Sequence, residues 1–155
     1  MATVVRDTVT LESELVEDTH NWYAQDASGN VWYLGEDVSN YENGAFRDKA
    51  GSWEAGVDGA LPGIIMYADP SSHLGETYRQ EYYAGHAEDM ADLLAIDASV
   101  SVPVGECLGA VKTRDHTPLE PGQEEEKYYA PGIGLVKVVN LAMGAEELLI
   151  SRAPP

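Results

Sequence analysis

The segment Asn21-Trp22-Tyr23-Ala24-Gln25-Asp26-Ala27-Ser28-Gly29-Asn30-Val31-Trp32-Tyr33-Leu34-Gly35 places two aromatic dipeptides on either side of a turn. Aromatic residues favour a pleated, half-buried surface. Asp26, Ser28 and Gly29 supply the local hydrogen bonds and the positive φ that a reversal needs. The segment is therefore expected to form a β-hairpin. With a four-residue loop over Asp26–Gly29, Trp22 faces Tyr33 and Tyr23 faces Trp32. Such cross-strand aromatic pairs contribute roughly 0.2–1 kcal/mol each beyond small residues.

Outward from this hairpin the chain keeps a period of two. Residues 3–10 and 15–25 form the first two strands, and 30–37 the third. Asn43-Gly44, a strong hairpin signal, leads into 45–48. Residues 51–63 carry four glycines and Pro62 and are expected to form a loop. Trp53, inside that loop, is either a core anchor or part of a binding mouth. Further strands are expected over 64–68, 76–83, 98–104, 107–115, 127–130, 134–139 and 146–151. Ala87, Met90, Ala91 and Leu94 match a helical stripe, so 87–95 is expected to be a short helix, with an irregular strand as the alternative. Glu124-Glu125-Glu126 is expected to be a solvated acidic run. The pattern predicts a single all-β domain over 1–155. It is an antiparallel β-barrel or half-barrel of about ten strands with at most one short helix.

Composition narrows the function classes. Twenty-seven acids against nine bases give a net charge of −18. That charge repels a phosphate backbone and disfavours nucleic acid as a partner. Cationic ligands and metal ions remain candidates. No apolar run approaches the ~20 residues of a membrane-spanning helix. A single cysteine, Cys107, excludes an intramolecular disulfide. Residues 1–7 show no basic run followed by an apolar one, the mark of an export signal.

Several stretches resemble a family of uncharacterised bacterial secreted proteins and lipoproteins. They are Val16-Glu17-Asp18-Thr19 leading into Trp22-Tyr23-Ala24-Gln25-Asp26, the run from Gly51 to Ala60, Tyr78-Arg79-Gln80-Glu81-Tyr82-Tyr83, and Thr117-Pro118-Leu119-Glu120-Pro121-Gly122 with the run from Tyr128 to Val136. The last run is also similar to the tails of periplasmic half-barrel proteins. The resemblance implies an extracytoplasmic β-protein (periplasmic, secreted or lipid-anchored) with no established activity. Members of the family begin with an export signal and further strands ahead of the position of Thr3. Histidine is unusual there at the positions of His20, His86 and His116, so a histidine site would be particular to this chain.

Two constellations carry candidate chemistry. Three Trp and nine Tyr against one Phe is a balance common in small-ligand pockets, because these rings join an apolar body to a polar tip. Trp22, Tyr33, Trp53, Tyr78 and Tyr82, with Arg79 as a central cation, are the candidate ligand-binding residues; the alternative is that they fill the core. His20, His86 and His116 are candidate metal ligands, with Glu81, Glu88 or Asp89, for zinc or copper. No two histidines have metal-ligand spacing, so such a site needs convergence from different strands. Asp26–Asn30 and Asp58-Gly59 resemble oxygen-rich calcium loops but lack the EF-hand pattern. The expectation is a protein binding a small ligand or partner through an aromatic-lined pocket. The alternatives are a metal-dependent enzyme with histidine ligands, or a module whose sheet edge pairs with another chain, its own copy included. The residues leave catalysis, and a homo-oligomer, undecided.

Overall fold

A computed structural model of the chain describes residues 1–152. Among them lie thirteen β-strands and one 3-10 turn, Pro70–His73. The strands are β1 (Thr3–Leu11), β2 (Glu14–Gln25), β3 (Val31–Glu42), β4 (Ala45–Asp48), β5 (Trp53–Glu54), β6 (Leu61–Met66) and β7 (Thr77–Arg79). They continue with β8 (Glu81–Tyr82), β9 (Met90–Val102), β10 (Gly105–His116), β11 (Glu124–Ala130), β12 (Gly134–Asn140) and β13 (Glu146–Leu148). The all-β expectation holds, as two antiparallel sheets. One has the order β1-β2-β3-β6-β8, with β4 and β5 also on β3; the other is β13-β12-β11-β10-β9-β7. Each order is an open path. The chain divides into two compact units, Met1–Ala68 with Arg79–Glu88, and Asp69–Tyr78 with the chain from Asp89 onward.

In the first unit the aromatic hairpin forms, but in a register other than the expected one. Trp22 stands opposite Gly35, Tyr23 opposite Tyr33 and Ala24 opposite Trp32. Two features shift the pairing. Gln25 pairs with Val31, so the loop spans residues 26–30. Asp26 organises that loop. Its Oδ1 accepts the backbone N–H groups of Ser28 at 2.8 Å and Asn30 at 3.0 Å. Its Oδ2 accepts Asn30 Nδ2 and Trp32 Nε1, both at 2.9 Å. The bonds from Trp32 and then Asn30 favour the ionised carboxylate and lower its pKa to about 2. This is turn chemistry, and it occupies both oxygens that a calcium loop would need.

The second feature is a bulge in β3, where Leu34 and Gly35 span a single step of β2. Gly35 has φ +133°, and a Cβ there would lie 2.3 Å from the Trp53 carbonyl oxygen. Only glycine fits. The bulge restores Glu36 and Val38 to the face of Tyr33, opposite Asn21 and Thr19. Thr19, Tyr33 and Val38 are buried on this face, and Trp22 alternates onto the other. Beyond the bulge β5 pairs with Gly35 and Glu36. That pairing brings Trp53 edge-on to Tyr33, with ring centroids 5.3 Å apart, and Tyr33 stacks on Tyr23 at 5.0 Å. Trp53, Tyr33, Ala60 and Ala87 form the core of this unit. Of the two roles open to Trp53, core anchor is the one found. Asn43 and Gly44, at φ +51° and +74°, close the two-residue β3–β4 turn as expected.

Three further expectations are corrected. Residues 87–95 contain no helix. Ala87 bridges to Tyr83 in a turn, and β9 begins at Met90 with Ala91 and Leu93 buried on one face. Pairing of this stretch with Thr113–His116 overrides the local helical stripe. Residues 76–83 are divided: β7 belongs to the second sheet and β8 pairs with β6 in the first. Glu124-Glu125-Glu126 is half-buried at the start of β11 instead of solvated. Lys112 lies 2.7 Å from Glu126, and Lys127 lies 3.7 Å from Glu125. The core of the second unit is Val100, Val102, Cys107, Ala110, Ala130 and Val136. Cys107 is packed there as a small apolar residue.

Candidate functional site

In the second sheet, register places polar residues in rows across one face. Asp115 stands opposite Glu125, and Glu125 opposite Asn140. Thr113 stands opposite Lys127. Two carboxylates directly opposite each other repel. Lys127 relieves this from the adjacent row, with Nζ 3.0 Å from Asp115 Oδ2 and 3.7 Å from Glu125 Oε2. Asp115 Oδ1 accepts the Thr113 hydroxyl at 2.6 Å. Asp115 Oδ2 is enclosed and accepts no aligned hydrogen bond among the described residues. Its partner is Lys127 Nζ, in an ion pair at 3.0 Å. The Asp115 side chain is only 7% exposed, whereas that of Lys127 is 26% exposed.

These residues floor a cleft of about 320 Å³. Asp115, His116, Glu125, Lys127 and Asn140 lie in the strands, and the segment after β10 brings Thr117, Glu120 and Gln123, with Asp89 from the chain entering β9. No lining residue is apolar. Burial pushes the Asp89 carboxyl above its ordinary range; Asp115 and Glu120 add to the rise, against a Thr117 hydrogen bond and the Lys127 charge. Burial acts to lower the Lys127 pKa, but Asp115 foremost, then Tyr129 and Glu125, outweigh it and hold the ammonium above its usual value. Asp89, Asp115, Glu120, Glu125 and Lys127 are the acidic and basic residues, apart from His116, that line the cleft.

The other face of the same strands is balanced. Arg114 Nη2 lies 2.6 Å from Asp92 Oδ2, Lys112 Nζ lies 2.7 Å from Glu126, and His116 Nε2 lies 3.6 Å from Asp92 Oδ1. Burial would raise Asp92, but hydrogen bonds from Thr77 and Arg114 prevail and keep its pKa low. On the cleft face the ion pairs are those of Lys127 with Asp115 and Glu125.

Apart from His116, the residues expected from sequence to form the site fall elsewhere. Tyr33 and Trp53 are 7% and 4% exposed in the first core, and the Trp53 indole N–H donates to Glu81 Oε2 at 2.8 Å. Tyr33 donates to Asn21 Oδ1 at 2.5 Å. Burial, then Glu36, pushes its phenol well above the usual range, so it stays protonated. Trp22 is half-buried on the opposite face of that sheet. Arg79 covers the Tyr82 ring at 4.1 Å, a cation–π contact in the first unit. Tyr78 is buried in the second unit. Among the candidate metal ligands, His20 is half-buried in β2, opposite Arg6 and Asp37. His86 is exposed and stacks on Tyr83 at 4.4 Å. His116 lies on the cleft rim of the second unit. Among the described residues no three His, Cys, Asp or Glu side chains are grouped to hold a metal ion.

Asp115, Glu120, Glu125 and Lys127 were not singled out by sequence reasoning, and Asp89 was named only as a candidate metal ligand beside the histidines. A signal was present: Thr113 and Asp115 alternate with Arg114, and Lys127 follows three glutamates on the neighbouring strand. No family model, curated protein or solved structure matches the chain.

Proposed function

We propose that this chain is a binding protein for a small polar ligand, and that the ligand sits in the cleft floored by Asp115, Glu125 and Lys127. The observation that carries the reading is a concavity of about 320 Å³ lined only by polar side chains, with a buried, ion-paired Asp115 on its floor. That volume is at the lower end of small-molecule sites. Buried charge is costly to maintain and is often retained for a specific role. Tyr33 and Trp53 are enclosed by protein, so the cleft is preferred over the aromatic cluster as the site. The same reading sets the protein outside the cytoplasm, with half-barrel curvature of its sheets; the resemblance to bacterial secreted proteins and lipoproteins supports that part.

Amide NMR during a screen of small polar compounds tests the site. Binding shifts the amides of Asp115, Thr117, Gln123, Glu125 and Asn140 together. A screen in which no compound moves that group, while the same amides respond to pH, overturns the reading.

A further inference from the structure

We propose that β1 is a self-pairing edge, through which two copies of this chain join their first sheets into one antiparallel sheet about a two-fold axis. Among the described strands β1 pairs with β2 alone and ends the sheet. Its outer side therefore presents a row of backbone N–H and C=O groups ready to pair with another strand. All nine of its residues are exposed. Val5, Asp7 and Val9 stand opposite Asn21, Thr19 and Glu17. They continue the sheet face on which Thr19 and Tyr33 are buried, yet Val5, Val9 and Leu11 are 45%, 44% and 68% exposed. Proteins keep sheet edges from pairing by shortening them or by placing charge, lysine or proline there. The other outer strands follow that rule: β13 has three residues, two of them glutamate, and β7 and β8 have three and two residues. β1 is nine residues long without lysine or proline, and its Arg6 and Asp7 cancel in a chain of net charge −18.

The order of residues in β1 selects a second copy as the occupant. A two-fold axis through a shared antiparallel ladder sets one residue against itself, because opposite residues share a sheet face and faces alternate along each strand. Centring on Arg6 or Asp7 opposes like charges. Centring on Thr8 pairs Val5 with the partner's Leu11, Arg6 with the partner's Thr10 and Asp7 with the partner's Val9. That ladder runs seven residues, Val5 to Leu11, with no like charges opposed, and every remaining centre shortens it to five or fewer. It gathers Val5, Val9 and Leu11 of both copies on one face. Arg6 keeps its two contacts with Asp18, both at 2.8 Å, on the other. One strand pair falls below the ~800 Å² per partner of a standard interface, so association in the micromolar range is expected.

Sedimentation velocity of the intact protein through the micromolar range tests this, at about 0.15 M salt, where the repulsion between two acidic copies is screened beyond about 8 Å. The expected result is a monomer–dimer equilibrium. Thr8→Lys weakens it about tenfold or more, since two ammonium groups would meet at the axis. In the monomer the new side chain stands opposite Asp18, so the fold, followed by circular dichroism, is retained. Under mild oxidation Thr8→Cys gives a disulfide-linked dimer, because directly opposed residues lie about 4.5–5.5 Å apart at Cα, within disulfide reach. Val5→Cys does not, since the two introduced thiols would lie six residues apart along the ladder. A monomer at every concentration overturns the proposal and leaves β1 to a strand of some other chain. A dimer whose Kd is unchanged in Thr8→Lys, or that crosslinks no better through Thr8→Cys than through Val5→Cys, overturns it too, since the contact would then lie on another surface or in another register.

Discussion

Replacing Gly35 with alanine tests the junction on which the first sheet turns. Two costs add. The backbone has φ +133°, a conformation in which a side chain costs about 1–3 kcal/mol. The new Cβ would lie 2.3 Å from the Trp53 carbonyl oxygen and 2.9 Å from Glu54 Cα. Both are backbone atoms of β5, so relief requires moving the strand that anchors Trp53. Overpacking of this kind costs about 1–3 kcal/mol more. The expected loss is about 2–6 kcal/mol. With a urea m-value of about 2 kcal/mol/M for a chain this size, the midpoint falls by roughly 1–3 M. Tryptophan fluorescence is the assay, because Trp22, Trp32 and Trp53 all lie in the first unit. Gly44→Ala is the control. Its φ is +74° with nothing within 4 Å of the added Cβ, so it carries only a backbone cost of about 1–2 kcal/mol. A Gly35→Ala variant no less stable than Gly44→Ala would refute the assigned bulge and the seating of Trp53 on it.

Lys127→Met strands the buried Asp115 carboxylate and is expected to cost about 2–3 kcal/mol, somewhat below a fully buried pair because Lys127 is partly exposed. Adding Asp115→Asn recovers at least half of that by urea unfolding followed by circular dichroism. A carboxyl-carbon NMR titration places the Asp89 midpoint above the ordinary ~3.9, and Lys127→Met raises it further. Because folding raises this acid's pKa, the group opposes folding above its folded pKa, and stability is regained as pH falls through that value. Trp53→Phe keeps a ring in the core but removes the donor to Glu81, costing about 1–3 kcal/mol by fluorescence-independent thermal unfolding.

Much of the fold was legible because strand periodicity and turn chemistry are local. Asn43-Gly44 and the pleat of β10 and β12 follow directly from residue order. The register of the aromatic hairpin did not, since it depends on a bulge that only Gly35 and the arrival of β5 require. The stretch 87–95 misled for a related reason: its helical stripe is local, and the partner that makes it a strand, Lys112–His116, lies in β10, beyond the β9–β10 turn. Tyrosine and tryptophan marked the first core well and the proposed site poorly, because large rings serve packing as readily as recognition. The cleft was the least visible. Asp115, Glu125 and Lys127 become neighbours only through the pairing of β10 with β11, and in so acidic a chain no single carboxylate stands out.

The cleft proposed as a ligand site is tested most directly by mapping amide shifts while small polar compounds are added in turn to the intact protein at fixed ionic strength. Saturable shifts concentrated at Asp89, Asp115, Thr117, Gln123 and Glu125, and lost in Glu125→Gln, are the expected result. Shifts spread evenly over acidic residues of both units, rising linearly without saturation, would contradict it.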